Sequence, residues 1–249
     1  MSRLGKILAG TALTAGALLG LAWFDVLPGG WRLRTWLVPQ EVRDGRQRAE
    51  HREARLARFA LENPDAPAES IVFLGSSTFE RFDLVASFPG KPAINRGIGD
   101  EDLALLSARL EQSLPGAPIA GLVLYAGSID FRRYGEQPTV LAENLAELLQ
   151  RLAELRPGVP VAVLGLLSEV EFPAPQILRL QRTNAALAKA CEAHGASFIA
   201  ADRAPVSLPD GSLDPAYTAD RLHLNGAGYE HLRKWILESS GPISGLLAP

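Results

Sequence analysis

The chain has 249 residues, with Lys+Arg 25 against Asp+Glu 28, a net charge of −3, 47% hydrophobic residues and 21% charged. Such a composition suits a globular protein with a substantial core and excludes a wholly disordered or collagen-like chain. The balance of charge argues against a nucleic-acid partner, and Cys191, alone in the sequence, excludes an internal disulfide and a Cys-rich zinc site.

Residues 1–6 form a basic N-terminus with Arg3 and Lys6. Residues 7–24, ILAGTALTAGALLGLAWF, carry no charge and are long enough to cross the hydrocarbon layer of a membrane. Small Gly20 and Ala22 ahead of Trp23 fit a cleaved secretory signal. Trp23, Phe24, Trp31 and Trp36 fit an interfacial aromatic belt, which favours an uncleaved transmembrane anchor. On either reading the rest of the chain is expected outside the cytoplasm, in the cell envelope, or secreted if the segment is cut. Arg32 and Arg34 beyond the segment weaken the positive-inside asymmetry.

Residues 25–69 read as a charged arm. Its part 40–62, QEVRDGRQRAEHREARLARFALE, is expected to be helical despite Gly45. From Arg32 to Arg58 there are eight Arg against Glu41, Asp44, Glu50 and Glu53. A basic helix beside a membrane can touch anionic head groups, but a solvated helix face is the simpler expectation. The run ENPDAPAES at 62–70 ends the helix and opens a new unit.

From residue 70 to 238 the pattern alternates, and 239–249 are left as a tail. Short apolar runs at Ile71–Leu74, Ala93–Asn95, Gly121–Ala126, Pro160–Leu166 and Ser197–Ala200 predict buried strands. Helical segments are expected at about 101–113, 139–155, 175–193 and 226–238, the second with Leu141, Leu145, Leu148, Leu152 and Leu155 on one face. Alternating strands and helices predict a parallel sheet of about five strands with helices on both faces. In such folds ligands sit beyond the carboxyl ends of the strands, so the loops there are where chemistry is sought.

His51 lies among charged neighbours, His194 precedes Gly195 at a helix end, and His231 sits within the last helix. His223 differs, standing in a loop three residues after Asp220 and just before Asn225 and Gly226. An Asp at that spacing can accept the imidazole N–H and set the tautomer a catalytic base needs; loop shaping, with Asn225 capping the next helix, is the plainer role. On the other side, strand Ile71–Leu74 runs straight into Gly75-Ser76-Ser77-Thr78. A serine there opens a helix and stands near N–H groups that favour an oxyanion. A plain helix cap is the alternative. Cys191, the rival nucleophile, lies on an apolar helix face and reads as a core thiol.

Taken together and in order, the turn after strand one, Asn95-Arg96-Gly97-Ile98-Gly99 after strand two, Gly127-Ser128-Ile129-Asp130 after strand three, and Asp220-Arg221-Leu222-His223 resemble the four blocks of the SGNH (GDSL-type) hydrolases over about residues 70–238. The resemblance implies a flavodoxin-like three-layer α/β/α fold, with Ser77 as nucleophile and Asp220 and His223 completing the triad. It implies esterase, lipase, thioesterase or carbohydrate O-acetyl esterase activity without a cofactor or metal.

Two blocks depart from the family pattern. The third is usually Gly-x-Asn-Asp, and Ile129 stands where its oxyanion-donating Asn belongs. The second usually continues Asn-x-Gly-x-Gly-Gly, whose last Gly falls on Asp100, with Gly99 one residue away. Ser77 and Gly99 or Asp100 N–H groups are the expected oxyanion donors, with Ser128 O–H or the Asn95 amide as replacements for the missing Asn. The side chain of Asp100 is expected to cap the helix that follows. A metal site from Asp100, Glu101, Asp102 and Asp130 can be counted but has no fixed geometry, and none is expected. The sequence thus supports a membrane-anchored serine esterase acting on a small-molecule, glycan or lipid ester. The alternatives are a weakened or inactive domain that binds an acylated or glycan ligand, and an acyltransferase; oligomeric state is left open.

Overall fold

Strands β1 (Ser70–Gly75), β2 (Ala93–Gly97), β3 (Ile119–Tyr125), β4 (Val161–Leu164) and β5 (Ser197–Ile199) pair in parallel, in the order β2-β1-β3-β4-β5. They are seen in a computed structural model that describes residues 39–239 and 241–248. The apolar segment 7–24 lies outside those residues, and among the described residues no helix is long and apolar enough to cross a membrane. All five strands fall on the apolar runs read from the sequence. β1 is buried at every position, as a central parallel strand covered on both faces must be.

The covering helices include α1 (Gln40–Glu62), α2 (Ser77–Glu80), α3 (Leu84–Ser87), α4 (Leu103–Ala108), α5 (Leu110–Ser113), α6 (Pro138–Leu155), α7 (Ala174–Ala193), α8 (Gly226–Glu238) and α9 (Pro242–Leu247). The result is a three-layer α/β fold. In α6, Leu141, Leu145, Leu148, Leu149 and Leu152 are buried while Glu143, Glu147 and Glu154 are exposed, the expected stripe of an amphipathic helix. Where one helix was expected at 101–113 there are two, α4 and α5. The break falls at Arg109, whose backbone leaves the helical region while its guanidinium turns inward.

The chain divides after His51. Of the first unit, residues 39–51 are described, and they supply the opening turns of α1. The second unit begins at Arg52, and the last turns of α1 carry contacts a solvated face lacks. Phe59 is fully buried, with the guanidinium carbons of Arg55, Arg96 and Arg109 at 4.9, 4.7 and 5.8 Å from its ring centroid. Arg96 donates to Glu62 at 2.6 Å and Arg52 to Glu101 at 2.9 Å. A stack of cations on an aromatic face offsets part of the cost of burying them.

Strand order reverses direction between β1 and β3. With right-handed crossovers, a crevice opens at the carboxyl ends of those two strands. Ser76 and Ser77 follow β1 and Ser128 follows β3, so that crevice holds the residues of interest.

Candidate active site

Ser77 is the first residue of α2, directly after β1. Its position depends on close backbone packing: a Cβ on Gly75 would lie 2.2 Å from the Tyr125 carbonyl oxygen, and one on Gly97 2.2 Å from the Glu80 nitrogen. Glycine at both places lets β1 meet β3, and β2 meet α2, at van der Waals distance. Ser76 stands at the N-cap of α2 but makes no capping bond; its hydroxyl lies 3.2 Å from Ser128 Oγ instead. The opening N–H groups of α2 are therefore left facing the crevice rather than a side-chain cap.

The second half of the site comes from the other end of the chain. Thr218 and Leu224 form an isolated antiparallel bridge, and the Ala219 N–H and the Thr218 hydroxyl both donate to the His223 carbonyl. Inside this closed loop the Asp220 carboxylate accepts the His223 N–H at 2.7 Å, the Leu222 N–H at 3.2 Å, and the imidazole Nδ1–H at 2.7 Å. Imidazole Nε2 lies 3.0 Å from Ser77 Oγ. With Nδ1 donating to a carboxylate, Nε2 is the acceptor of the Ser77 hydroxyl proton. The backbone N–H of His223 is the main cause that holds the Asp220 carboxyl down at about 2, with the imidazole and the Leu222 N–H adding to it.

The structure thus brings Ser77, His223 and Asp220 into one hydrogen-bonded line. Tyr229 of α8 ties its two halves together: its hydroxyl donates to the Thr78 carbonyl at 2.7 Å, and its ring stacks on Phe82 at 4.9 Å. Its partner Thr78 lies 151 positions away along the chain, so no local pattern points to it. His194 caps the end of α7 and His231 packs on Tyr217. Cys191 is buried, and burial pushes its thiol up to about 12, which leaves it no thiolate with which to act.

The loop after β2 carries the other candidates. A Cβ on Gly99 would lie 3.6 Å from Ser77 Cβ, so this loop borders the nucleophile. The Gly99 N–H, however, donates to the Glu80 carboxylate. Asp100 adopts φ 62°, the left-handed backbone natural to the glycine of the family pattern. Its carboxylate meets Arg133 at 3.0 Å, and it is Asp102 that caps α4 by accepting the Leu105 N–H. The expected capping role of Asp100 is therefore corrected, because a left-handed residue two positions early cannot aim at the first turn. Asn95 is likewise not a spare donor. Its amide donates to the carbonyls of Phe79, Glu80 and Phe82 and so closes the end of α2. Ile129 is buried and apolar where the family amide would stand.

Asp100, Glu101, Asp102 and Asp130 face different partners. Asp100 meets Arg133, Glu101 meets Arg52 and Arg109, Asp102 caps α4, and Asp130 accepts the Leu103 N–H. Burial raises the Asp130 carboxyl above its ordinary value. Among the described residues no group of three His, Cys, Asp or Glu side chains is placed to hold a metal ion.

Against known families, residues 73–231 match the GDSL-like lipase/acylhydrolase model, well over half of the chain. The chain belongs to the GDSL-like lipase/acylhydrolase family. It is accordingly an ester hydrolase by class. A platelet-activating factor acetylhydrolase IB subunit alpha1 from Bos taurus is 29% identical over 178 residues, covering 69% of this chain and 75% of the relative. Among solved structures, a protein described as a platelet activating factor from Streptococcus pneumonia superposes with a TM-score of 0.71 at 24% identity, covering 77% of this chain and 94% of the other. A GDSL-like lipase from Bacteroides thetaiotaomicron gives 0.60 at 22% identity, covering 73% and 94%. At these identities the two structures establish the fold of this GDSL-like hydrolase and nothing of its substrate.

Proposed function

We propose that Ser77, His223 and Asp220 form the catalytic triad of an acyl or acetyl ester hydrolase anchored to a membrane by residues 7–24. The observation that carries this reading is the unbroken line from Asp220 Oδ2 to His223 Nδ1 at 2.7 Å and from His223 Nε2 to Ser77 Oγ at 3.0 Å. Ser77 Oγ attacks the ester carbonyl carbon as Nε2 takes its proton. The tetrahedral oxyanion collapses, the C–O bond to the alcohol breaks, and Nε2 returns the proton to the departing alkoxide. Water, deprotonated by the same nitrogen, then releases the acid and restores Ser77. Asp220 holds the imidazole in register and stabilises its charged form.

The oxyanion is held by the N–H groups of Ser77 and of the loop at Gly99–Asp100, in which Glu80 accepts the Gly99 N–H. Ser128 is bonded to Ser76, the residue before the nucleophile. Ile129 leaves the site one donor short, which costs about 10²–10³ in kcat relative to an Asn-bearing site. An acetyl or short acyl group is the favoured acid part, supported by the acetylhydrolase relative. The anchor directs the enzyme toward esters of the cell envelope.

Fluorophosphonate labelling of the full chain, with Ser77→Ala and His223→Ala controls, tests the triad. Stable labelling at Ser77 that disappears in both variants is expected; equal labelling of wild type and Ser77→Ala removes Ser77 from the mechanism. Acetyl-ester turnover above long-chain turnover is the expected order. Sugar-ester products in place of free acid identify acyl transfer, and an unlabelled protein that still binds acylated glycan identifies a binding domain. The intact mass of membrane-extracted protein tests the anchor, since a chain starting near Trp23 contradicts it.

A further inference from the structure

The loop from Gly97 to Asp100 borders Ser77 and contains a non-glycine residue in left-handed backbone, Asp100 at φ 62°. Such a conformation persists only where its surroundings over-determine it, and it is enriched at working sites. Here the loop is gripped at successive points. Arg55 of α1 donates to the Gly97 carbonyl through Nε at 3.1 Å and through Nη2 at 2.8 Å. Arg55 Nε also lies 3.6 Å from Glu80 Oε1, while Glu80 Oε2 accepts the Gly99 N–H. Arg133 takes the Asp100 carboxylate. Glu80 itself closes α2, three residues after Ser77, so its carboxylate links the nucleophile's helix both to Arg55 and to the loop beside it.

We propose that Arg55 is a positioning residue for ester hydrolysis. With Glu80 as intermediary, it holds the Gly97–Asp100 loop in place beside Ser77, where the oxyanion forms. Arg55 lies ahead of the residues 73–231 that the family model matches, so the working site extends into the charged helix that precedes the shared domain. The planar guanidinium reaches one carbonyl with two N–H groups while facing a carboxylate, a pattern that a lysine ammonium cannot reproduce. The inference rests on the triad reading given above.

Steady-state kinetics of the full chain on an acetyl ester test it. In Arg55→Ala, kcat is expected to fall about 10²-fold, the scale of a misplacement of about an ångström, with KM within about twofold of wild type. Arg55→Lys recovers only part of the loss. The shape of the pH–kcat profile stays as in wild type, since His223 and Asp220 are untouched. Glu80→Ala gives a comparable loss, and the loss in Arg55→Ala/Glu80→Ala falls short of the product of the two, because the residues share one contact while each also holds the loop by its own hydrogen bond. Wild-type kcat in Arg55→Ala, or losses that multiply in the double variant, overturns the proposal. Should Arg55→Ala show no cooperative thermal unfolding, Glu80→Gln decides: it keeps an acceptor for the Gly99 N–H but no charge for Arg55, and wild-type kcat there overturns it equally. Full activity in Ser77→Ala sinks the triad and this inference together; an inactive Ser77→Ala beside a fully active Arg55→Ala sinks this inference alone.

Discussion

The two halves of the site are built in opposite ways. The nucleophile side is set from within: Arg109, wholly buried, donates to the Gly75 carbonyl at 3.1 Å, to Ser113 Oγ at 2.7 Å and to the buried Glu101. The histidine side is a surface loop in which the side chain of Asp220 is 46% exposed and many of the hydrogen bonds run between residues 218 and 225. One side borrows rigidity from the core. The other closes largely on itself, and its longer-range ties include the Val170 N–H donating to the Arg221 carbonyl, Arg221 meeting Glu171, Arg81 at 3.6 Å from Asp220, and Tyr229 reaching Thr78. Charge changes on the buried side are therefore expected to appear as stability, and those on the exposed side as rate.

Asp220→Asn is the largest test of that contrast. The amide fits the same space but loses the charge that steadies the imidazolium, so kcat is expected to fall by about 10³–10⁴, while the thermal midpoint moves little. Its pH behaviour follows from the same loop. Asp220 is held down at about 2 against an ordinary 3.8; its contribution is whole above the ordinary value and is lost as pH falls through about 2. Any acid loss of wild-type kcat near pH 4–5 is thus expected to belong to another group, and it should persist in Asp220→Asn.

Arg109→Met tests the buried side. It leaves the buried Glu101 carboxylate with Arg52 as its remaining cation, and a loss of about 3 kcal/mol is expected in denaturant unfolding; adding Glu101→Leu should recover part of it. Ile129→Asn restores the donor the family pattern carries. Its kcat is expected to rise, by about tenfold or more of the 10²–10³ such a donor supplies elsewhere, and unchanged turnover would show that the site compensates by other means. Smallest is Asp100→Gly, which relieves a left-handed side chain at the cost of chain entropy and the Arg133 pair. A net gain below about 1 kcal/mol is expected in the same unfolding measurement.

Much of the architecture was legible because it rests on periodicity. Buried parallel strands are short continuous apolar runs, and all five were readable; α6 announced itself by its leucines. The turn Gly75-Ser76-Ser77 and the Asp220–His223 spacing were readable because each is a local pattern of the backbone. What stayed hidden were polar residues whose partners lie far along the chain. Arg55, Arg96 and Arg109 look like surface charges until Glu62, Glu80 and Glu101 are placed beside them. Asp100 and Asp102 are indistinguishable as caps until backbone angles are known, and Asn95 looks free until α2 folds over it.

By itself, then, the order of apolar runs and glycines determined a parallel sheet with a serine and a histidine at its carboxyl edge, since burial and close approach act residue by residue. Only the folded chain decided which charges turn inward, which N–H beside Ser77 is already engaged, and where the working unit begins. Those outcomes depend on the geometry between residues tens of positions apart, and the cost of burying a charge is set entirely by whether its partner arrives.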